Sequence, residues 1–303
     1  MRYRYLFVVG MILAGLILSA CGADAAAENT AVSEVESAPV EEDNTKESAP
    51  PESDSAETED SVEIEAVRVR VQSNSLAPLA LFDGETYSGF AIDLASEIVA
   101  RVYGSQTPIG FVPITSQERF SALADGQIAM LVRNLVHTGA RESEALFSGA
   151  YLLSGNGFLV FNNSGISSIA DLDGKNIAIP SFMEGSLEEL ANVYAISLNS
   201  VVADNIENAI LAIEYGDAEA TFHDWVALAG SLNNSIHTLL LDDSNFSPIA
   251  VALPLGSEEL RDEVDAALAE LIADGTWQNL FTSWFGIDVP WNMDEMFGYP
   301  AGN

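Results

Sequence analysis

From residue 66 onward the apolar residues alternate between two periods, and that alternation limits the available folds more than any other feature. Val67, Val69 and Val71 alternate with polar residues, the period of a half-buried strand. Ile92, Ala95, Ile98, Val99 and Val102 then recur at helical spacing, and Gly104 follows where a helix end favours glycine. Further strands are expected at 110–114, 128–132, 158–161, 176–180, 218–222 and 237–241. Helices are expected around Ile206, Ala209, Ile210 and Ile213, and around Leu260, Val264, Leu268 and Leu271 between Ser257 and Gly275. Strands alternating with helices predict an α/β architecture with mixed sheets, and no short repeat suggests a solenoid.

The first 65 residues have a different composition. Arg2 and Arg4 precede an apolar stretch over 6–18, which is shorter than the roughly 20 residues of a bilayer span and reads as a signal peptide. From residue 22 to 65 there are 15 acids, one base (Lys46) and no aromatic residue, a net charge of −14. So little apolar surface cannot offset the entropy of ordering, so this stretch is expected to be a disordered acidic tether.

The whole chain of 303 residues carries a formal charge of −35, with 11 Lys+Arg in total. Nucleic acid is excluded as a partner, because nonspecific affinity for its phosphates comes from clustered bases. A single cysteine, Cys21, excludes an internal disulfide and a multi-cysteine metal site. There is no phosphate loop, no His-Glu-x-x-His and no nucleophile elbow. The histidines His137, His223 and His237 lack ligand-like spacing. No metal, cofactor or catalytic residue is therefore expected.

Several longer strings remain. They are Gly89-Phe90-Ala91-Ile92-Asp93-Leu94-Ala95, Phe111-Val112-Pro113-Ile114-Thr115, Glu118-Arg119-Phe120-Ser121-Ala122-Leu123, Val132-Arg133-Asn134-Leu135-Val136-His137-Thr138-Gly139-Ala140-Arg141 and Phe147-Ser148-Gly149-Ala150-Tyr151. With 169–175 and 275–286, their order and spacing resemble the family 3 extracellular solute-binding proteins, amino-acid receptors of ABC importers, and are most similar to the general amino-acid-binding branch. Leu18-Ser19-Ala20-Cys21 likewise resembles a lipobox. The resemblance implies a type II periplasmic-binding-protein fold with two lobes and two crossover hinge strands. Its expected layout is a lipoprotein signal over 1–21, a tether over 22–65, lobe 1 over 66–153 and 251–303, and lobe 2 over 154–250. The crossovers fall near 153–157 and 247–251. The expected protein is an extracytoplasmic monomer that serves an ABC permease. It would be anchored through lipidated Cys21 to the outer face of the cell membrane, or lie in the periplasm.

A free amino acid presents a carboxylate and an ammonium, both needing partners once desolvated. The resemblance assigns the carboxylate to Arg141 of Thr138-x-x-Arg141, by a forked charge-assisted pair, and to the helix start at Ser186. It assigns the ammonium to Asp224. Alternatives stand beside each: a surface ion pair of Arg141 with Glu142 or Glu144, and helix capping by Ser186 or Asp224. Arg133, Asn134 and Val136 occupy side-chain pocket positions. Arg133 faces either an acidic ligand or a protein carboxylate, whereas Glu184 would favour a basic ligand. Leu76 stands where many relatives carry an aromatic clamp. Two other outcomes remain open, a sensor subunit docking a membrane receptor and a cyclohexadienyl-dehydratase-like enzyme. The enzyme needs a buried carboxyl of raised pKa, for which Glu184 is the candidate.

Overall fold

The protein is described by a computed structural model over residues 66–70 and 75–302. The leader, Cys21, the acidic stretch and Val71 lie outside these residues.

Two five-stranded mixed sheets form the frame. The first has the order β4-β1-β5-β12-β6. In it β1 (Val67–Arg70), β4 (Ile109–Val112) and β5 (Met130–Leu131) run parallel. β12 (Ser247–Leu253) lies antiparallel between β5 and β6 (Leu146–Ser154). The second has the order β11-β7-β10-β8-β9. There β8 (Asn176–Pro180), β9 (Asn199–Ala203) and β10 (Ala220–Asp224) run parallel, and β7 (Asn156–Phe161) is antiparallel to both β10 and β11 (His237–Leu241). A short hairpin of β2 (Leu81–Phe82) and β3 (Tyr87–Ser88) precedes the first helix.

The first sheet carries α1 (Phe90–Val102), α2 (Arg119–Ala124), α6 (Glu258–Ala273), α7 (Thr276–Phe285) and α8 (Met293–Phe297). The second carries α3 (Glu184–Tyr194), α4 (Ile206–Tyr215) and α5 (Trp225–Ala229). The apolar stripe read in α1 is its buried face: Ile92, Ala95, Ile98 and Val99 are all in the core. Gly104 takes φ 101° just beyond the helix, as its position implied. A nest of aromatic rings fills the first lobe. Phe90 meets Trp277 edge-on at 5.7 Å, and Phe281 stacks on Phe285 at 4.6 Å.

The chain passes between sheets twice. The first passage is a single residue, Gly155, between β6 and β7. The second is 242–246, between β11 and β12. Ser247–Leu253 pairs wholly within the first sheet, so the second crossing comes earlier than the expected 247–251. The crossings touch. Asp242 N–H donates to Asn156 O at 2.9 Å, and a Cβ on Gly155 would lie 3.0 Å from Asn245 O, a tight approach that favours glycine. One helix departs from its sheet: α5 follows β10, yet Trp225, Val226 and Ala229 pack into the core of the first lobe. Trp225 is 0% exposed, and its indole N–H donates to Leu153 O at 2.9 Å.

Candidate functional site

Parallel strands end at a common edge, and ligands of open α/β sheets bind beyond the carboxyl ends of the strands. The first lobe gathers most of the predicted site there. Arg70 is the last residue of β1, Arg119 opens α2 after β4, and Arg133, Asn134, Val136, Thr138 and Arg141 follow β5. Arg70 Nε donates to Ile114 O at 2.6 Å, and Arg133 Nη1 to Ser116 Oγ at 3.3 Å. The buried Tyr151 hydroxyl donates to Arg133 O at 2.8 Å and fixes that backbone. Arg141 sits in a 3-10 turn, Gly139–Ser143, whose first bond runs from its own N–H to Thr138 O at 3.0 Å; one Nη donates to Val136 O. Val136 bridges to Ile249 and Thr138 to Gly302. Asn134 is half-buried. Leu76 is half-buried as well, bridges to Ala80 and packs on the first core.

Four guanidiniums thus share one strand edge, and they repel one another. Burial first, then Arg133 and Arg119, bring Arg70 down to about 10. Burial and then Arg119 bring Arg133 to about 10 as well, with Arg141 adding to the depression. Arg141 is lowered by burial and by Arg119. Arg70 and Arg133 remain cations at neutral pH. The five ion pairs among the described residues include none of these four. The surface alternative for Arg141 fails, because Glu142 Oε1 lies 3.0 Å from His137 Nε2 instead and Glu144 acts on Arg141 only as a nearby charge. The protein-carboxylate alternative for Arg133 fails too, since its partner is the Ser116 hydroxyl.

The second lobe offers a carboxylate at an equivalent strand end. Asp224 closes β10, directly opposite Asn156 of β7. Its Oδ1 accepts Val226 N–H at 2.9 Å, capping α5, and its Oδ2 accepts the Ser154 hydroxyl. The capping alternative is therefore present, but it uses only part of the carboxylate's acceptor capacity. Burial pushes the Asp224 pKa up, and the hydrogen bonds from Ser154 and Val226 only partly oppose it. Burial lowers His223, the adjacent residue, and Phe182 stands edge-on to its ring at 5.7 Å.

Ser186 lies in the first turn of a helix but does not cap it. A 3-10 turn, Ser181–Met183, runs straight into α3, which begins at Glu184 with no side-chain cap. Ser186 is therefore the third residue of α3, half-buried, and faces a small cavity of about 190 Å³ with Asn156, Asp242 and Asn245 beside the crossings. Glu184 is exposed, beside Leu187 and Glu188, so it is not the buried carboxyl for which the enzyme alternative made it the candidate.

Arg70 and Arg119 were missed from the sequence. The alternation of Val67, Val69 and Val71 placed Arg70 on the solvent side, whereas both faces of β1 are covered near its end. Its sequence signal was only its rarity: from residue 66 on there are eight bases, and four of them are in this cluster. Among the described residues no group of three or more His, Cys, Asp or Glu is placed to hold a metal ion, and no helix is long and apolar enough to cross a membrane.

Residues 68–287 match the family of bacterial extracellular solute-binding proteins, family 3. The chain belongs to this family. It is 26% identical over 201 residues to the ABC transporter glutamine-binding protein of Bacillus subtilis (strain 168), covering 66% of this chain and 73% of that one. It is 28% identical over 234 residues to a putative amino-acid ABC transporter-binding protein of Vibrio harveyi, covering 74% and 91%. Among solved structures, the L-cystine solute receptor of Neisseria gonorrhoeae in its unliganded open conformation aligns with a TM-score of 0.65 at 22% identity, covering 76% of this chain and 96% of that one. That structure shares the fold of this solute-binding protein, two lobes joined by two crossovers.

Proposed function

We propose that this solute-binding protein captures a free L-amino acid between its lobes and delivers it to the permease of an ABC importer. Arg141 carries the reading. It is a guanidinium at a strand edge, oriented by Val136 O, with no ion pair among the described residues. It receives the α-carboxylate as a charge-assisted pair, Thr138 supports the turn that presents it, and Ser186 adds a hydroxyl from the second lobe. Asp224 receives the ammonium, and Asn134, Val136 and Leu76 border the ligand. Contacts from both lobes favour the closed form by differential affinity, and that form docks the permease. Cys21, outside the described residues, would carry the lipid that holds the protein on the outer side of the membrane.

The protein acts as a receptor rather than an enzyme in this reading: the exposed Glu184 lacks the desolvated setting a general acid needs, and Asp224, the buried carboxyl, is the ammonium partner. A thermal-shift panel of the twenty amino acids tests the proposal. At least one should raise the Tm, and Arg141→Ala should abolish that shift. A folded protein stabilised by none of them refutes it.

A further inference from the structure

We infer that the ligand is an amino acid whose side chain ends in an anion, a dicarboxylic amino acid such as glutamate or aspartate, bound by Arg70, Arg119 and Arg133. This rests on the amino-acid reading above and names the class of side chain. One guanidinium, Arg141, serves an α-carboxylate. A neutral ligand leaves three more at the same edge without a counter-charge.

Their burial makes that arrangement costly. Arg70 is 0% exposed and Arg133 7%. Both Nη atoms of Arg70, Nε of Arg133 and Nε of Arg119 are enclosed without a hydrogen-bond acceptor among the described residues. The segment that follows Arg70, Val71-Gln72-Ser73-Asn74, contains no acid that could answer it. Packing does not require cations here, since a buried charge is far more costly than an apolar side chain of equal volume. What the cluster supplies is a set of forked donors whose geometry suits a carboxylate.

The donors are also held in place. Arg70 is tied by Nε to Ile114 O, which leaves its two Nη atoms as the donors without a partner among the described residues. Arg133 is tied to Ser116 Oγ and, through its carbonyl, to the Tyr151 hydroxyl. Arg119 lies with its guanidinium carbon 4.8 Å from the centre of the Phe120 ring. Strand β1, the start of α2 and the loop after β5 therefore each contribute one cation, and Arg141 lies farther along the chain after β5. A ligand with its α-carboxylate at Arg141 extends its side chain toward the other three. Glu184, the residue that would favour a basic ligand, is exposed and lines a separate concavity on the second lobe.

Calorimetric titration of the full chain with L-glutamate, L-aspartate, L-glutamine, L-asparagine and glutarate tests the inference. Glutamate or aspartate should bind ~100-fold tighter than its amide, by analogy with one or two charge-assisted bonds. Glutarate, which has no ammonium, should bind more weakly than glutamate. Arg133→Gln should cut the preference for acid over amide by ~10-fold or more, and Arg119→Gln should do the same if Arg133→Gln does not fold. An amide bound as tightly as its acid, or a variant that weakens both equally, overturns the inference and leaves the amino-acid reading standing. Binding of no amino acid overturns both.

Discussion

Replacing Asp224 by Asn separates its two roles, because the substitution keeps the shape and removes only the charge. The cap on α5 survives, since Asn is as good an N-cap as Asp and its carbonyl can still accept Val226 N–H. The Ser154 hydroxyl can turn to accept from the new amide. What disappears is a carboxylate whose pKa burial has raised. A raised folded pKa means that the native state binds more protons than the unfolded chain between the two values. The group's contribution to stability is thus present below the unfolded pKa of about 3.9 and lost as pH rises through the folded value. At pH 7 Asp224 destabilises the unliganded protein, and Asp224→Asn should raise its Tm. The gain should shrink as the pH approaches 4.

Binding should move the other way. Losing a charge-assisted bond to an ammonium costs ~1.5–3 kcal/mol, or ~10- to 150-fold in Kd. Wild-type affinity should also fall as pH drops through the raised pKa of Asp224, while that of Asp224→Asn stays flat over the same range. Calorimetry from pH 4 to 8, with parallel thermal melts, reads all three. A variant that melts lower than wild type at pH 7, or that binds within twofold of it, would show that the carboxylate serves only as a cap.

Four further substitutions test the scaffold by denaturant titration. Ala195 ends α3 at φ 53°, donating its N–H to carbonyls of the last turn, so Ala195→Gly should stabilise by ~0.5–1 kcal/mol. Gly89 has φ 124°, and a Cβ there would lie 2.6 Å from Leu79 O, so Gly89→Ala should cost ~2–4 kcal/mol. Trp225→Phe leaves Leu153 O without its indole donor and opens a gap between the lobes, at ~2–4 kcal/mol. Arg101 pairs with Glu97 and Asp274 at the surface, and Arg101→Met should cost under ~1 kcal/mol, less still at high salt.

The elements that the sequence revealed are those with one dominant period. The strand 176–180, the strand 237–241 and helices α1, α4 and α6 were all visible. β6 was not: it is buried along nearly its whole length, so no alternation marks it, and a uniformly apolar segment looks alike in a strand and a helix. β9 failed for the opposite reason. It lies at a sheet edge, mostly exposed, and Asn199-Ser200-Val201-Val202-Ala203 offers too little apolar contrast. Of the residues that the proposed site uses, Arg141, Arg133 and Asp224 were named from short strings. Arg70 and Arg119 were not, because only the pairing of β1 with β4 and β5 brings residues 70, 119 and 133 to one edge. Ser186 does lie in the first turn of α3, but not at its cap, because the helix begins two residues earlier, straight from a 3-10 turn that leaves no distinct sequence signature.

The two lobes differ in the kind of charge they present, and that difference gives closure a direction. Arg70 and Arg133 stay charged at neutral pH, and in the proposed reading the first lobe's cations hold an anionic ligand before the lobes meet. Asp224 is the opposite: its ionised form is disfavoured by burial, and an arriving ammonium relieves that penalty. In the proposed reading that relief comes before closure, and a contact made only in the closed form supplies the differential interaction a closing motion requires. The packing fits that order. Asp224 caps α5, and α5 is embedded in the first lobe through Trp225, Val226 and Ala229. The ammonium partner is therefore anchored beside the crossings at Gly155 and 242–246, while the buried leucines of α3, which follow Ser186 along the helix, pack in the second lobe's own core. Closure in the proposed reading brings α3 toward a ligand already held between Arg141 and Asp224, so Ser186 is the last contact made and the one that reports whether the lobes have shut.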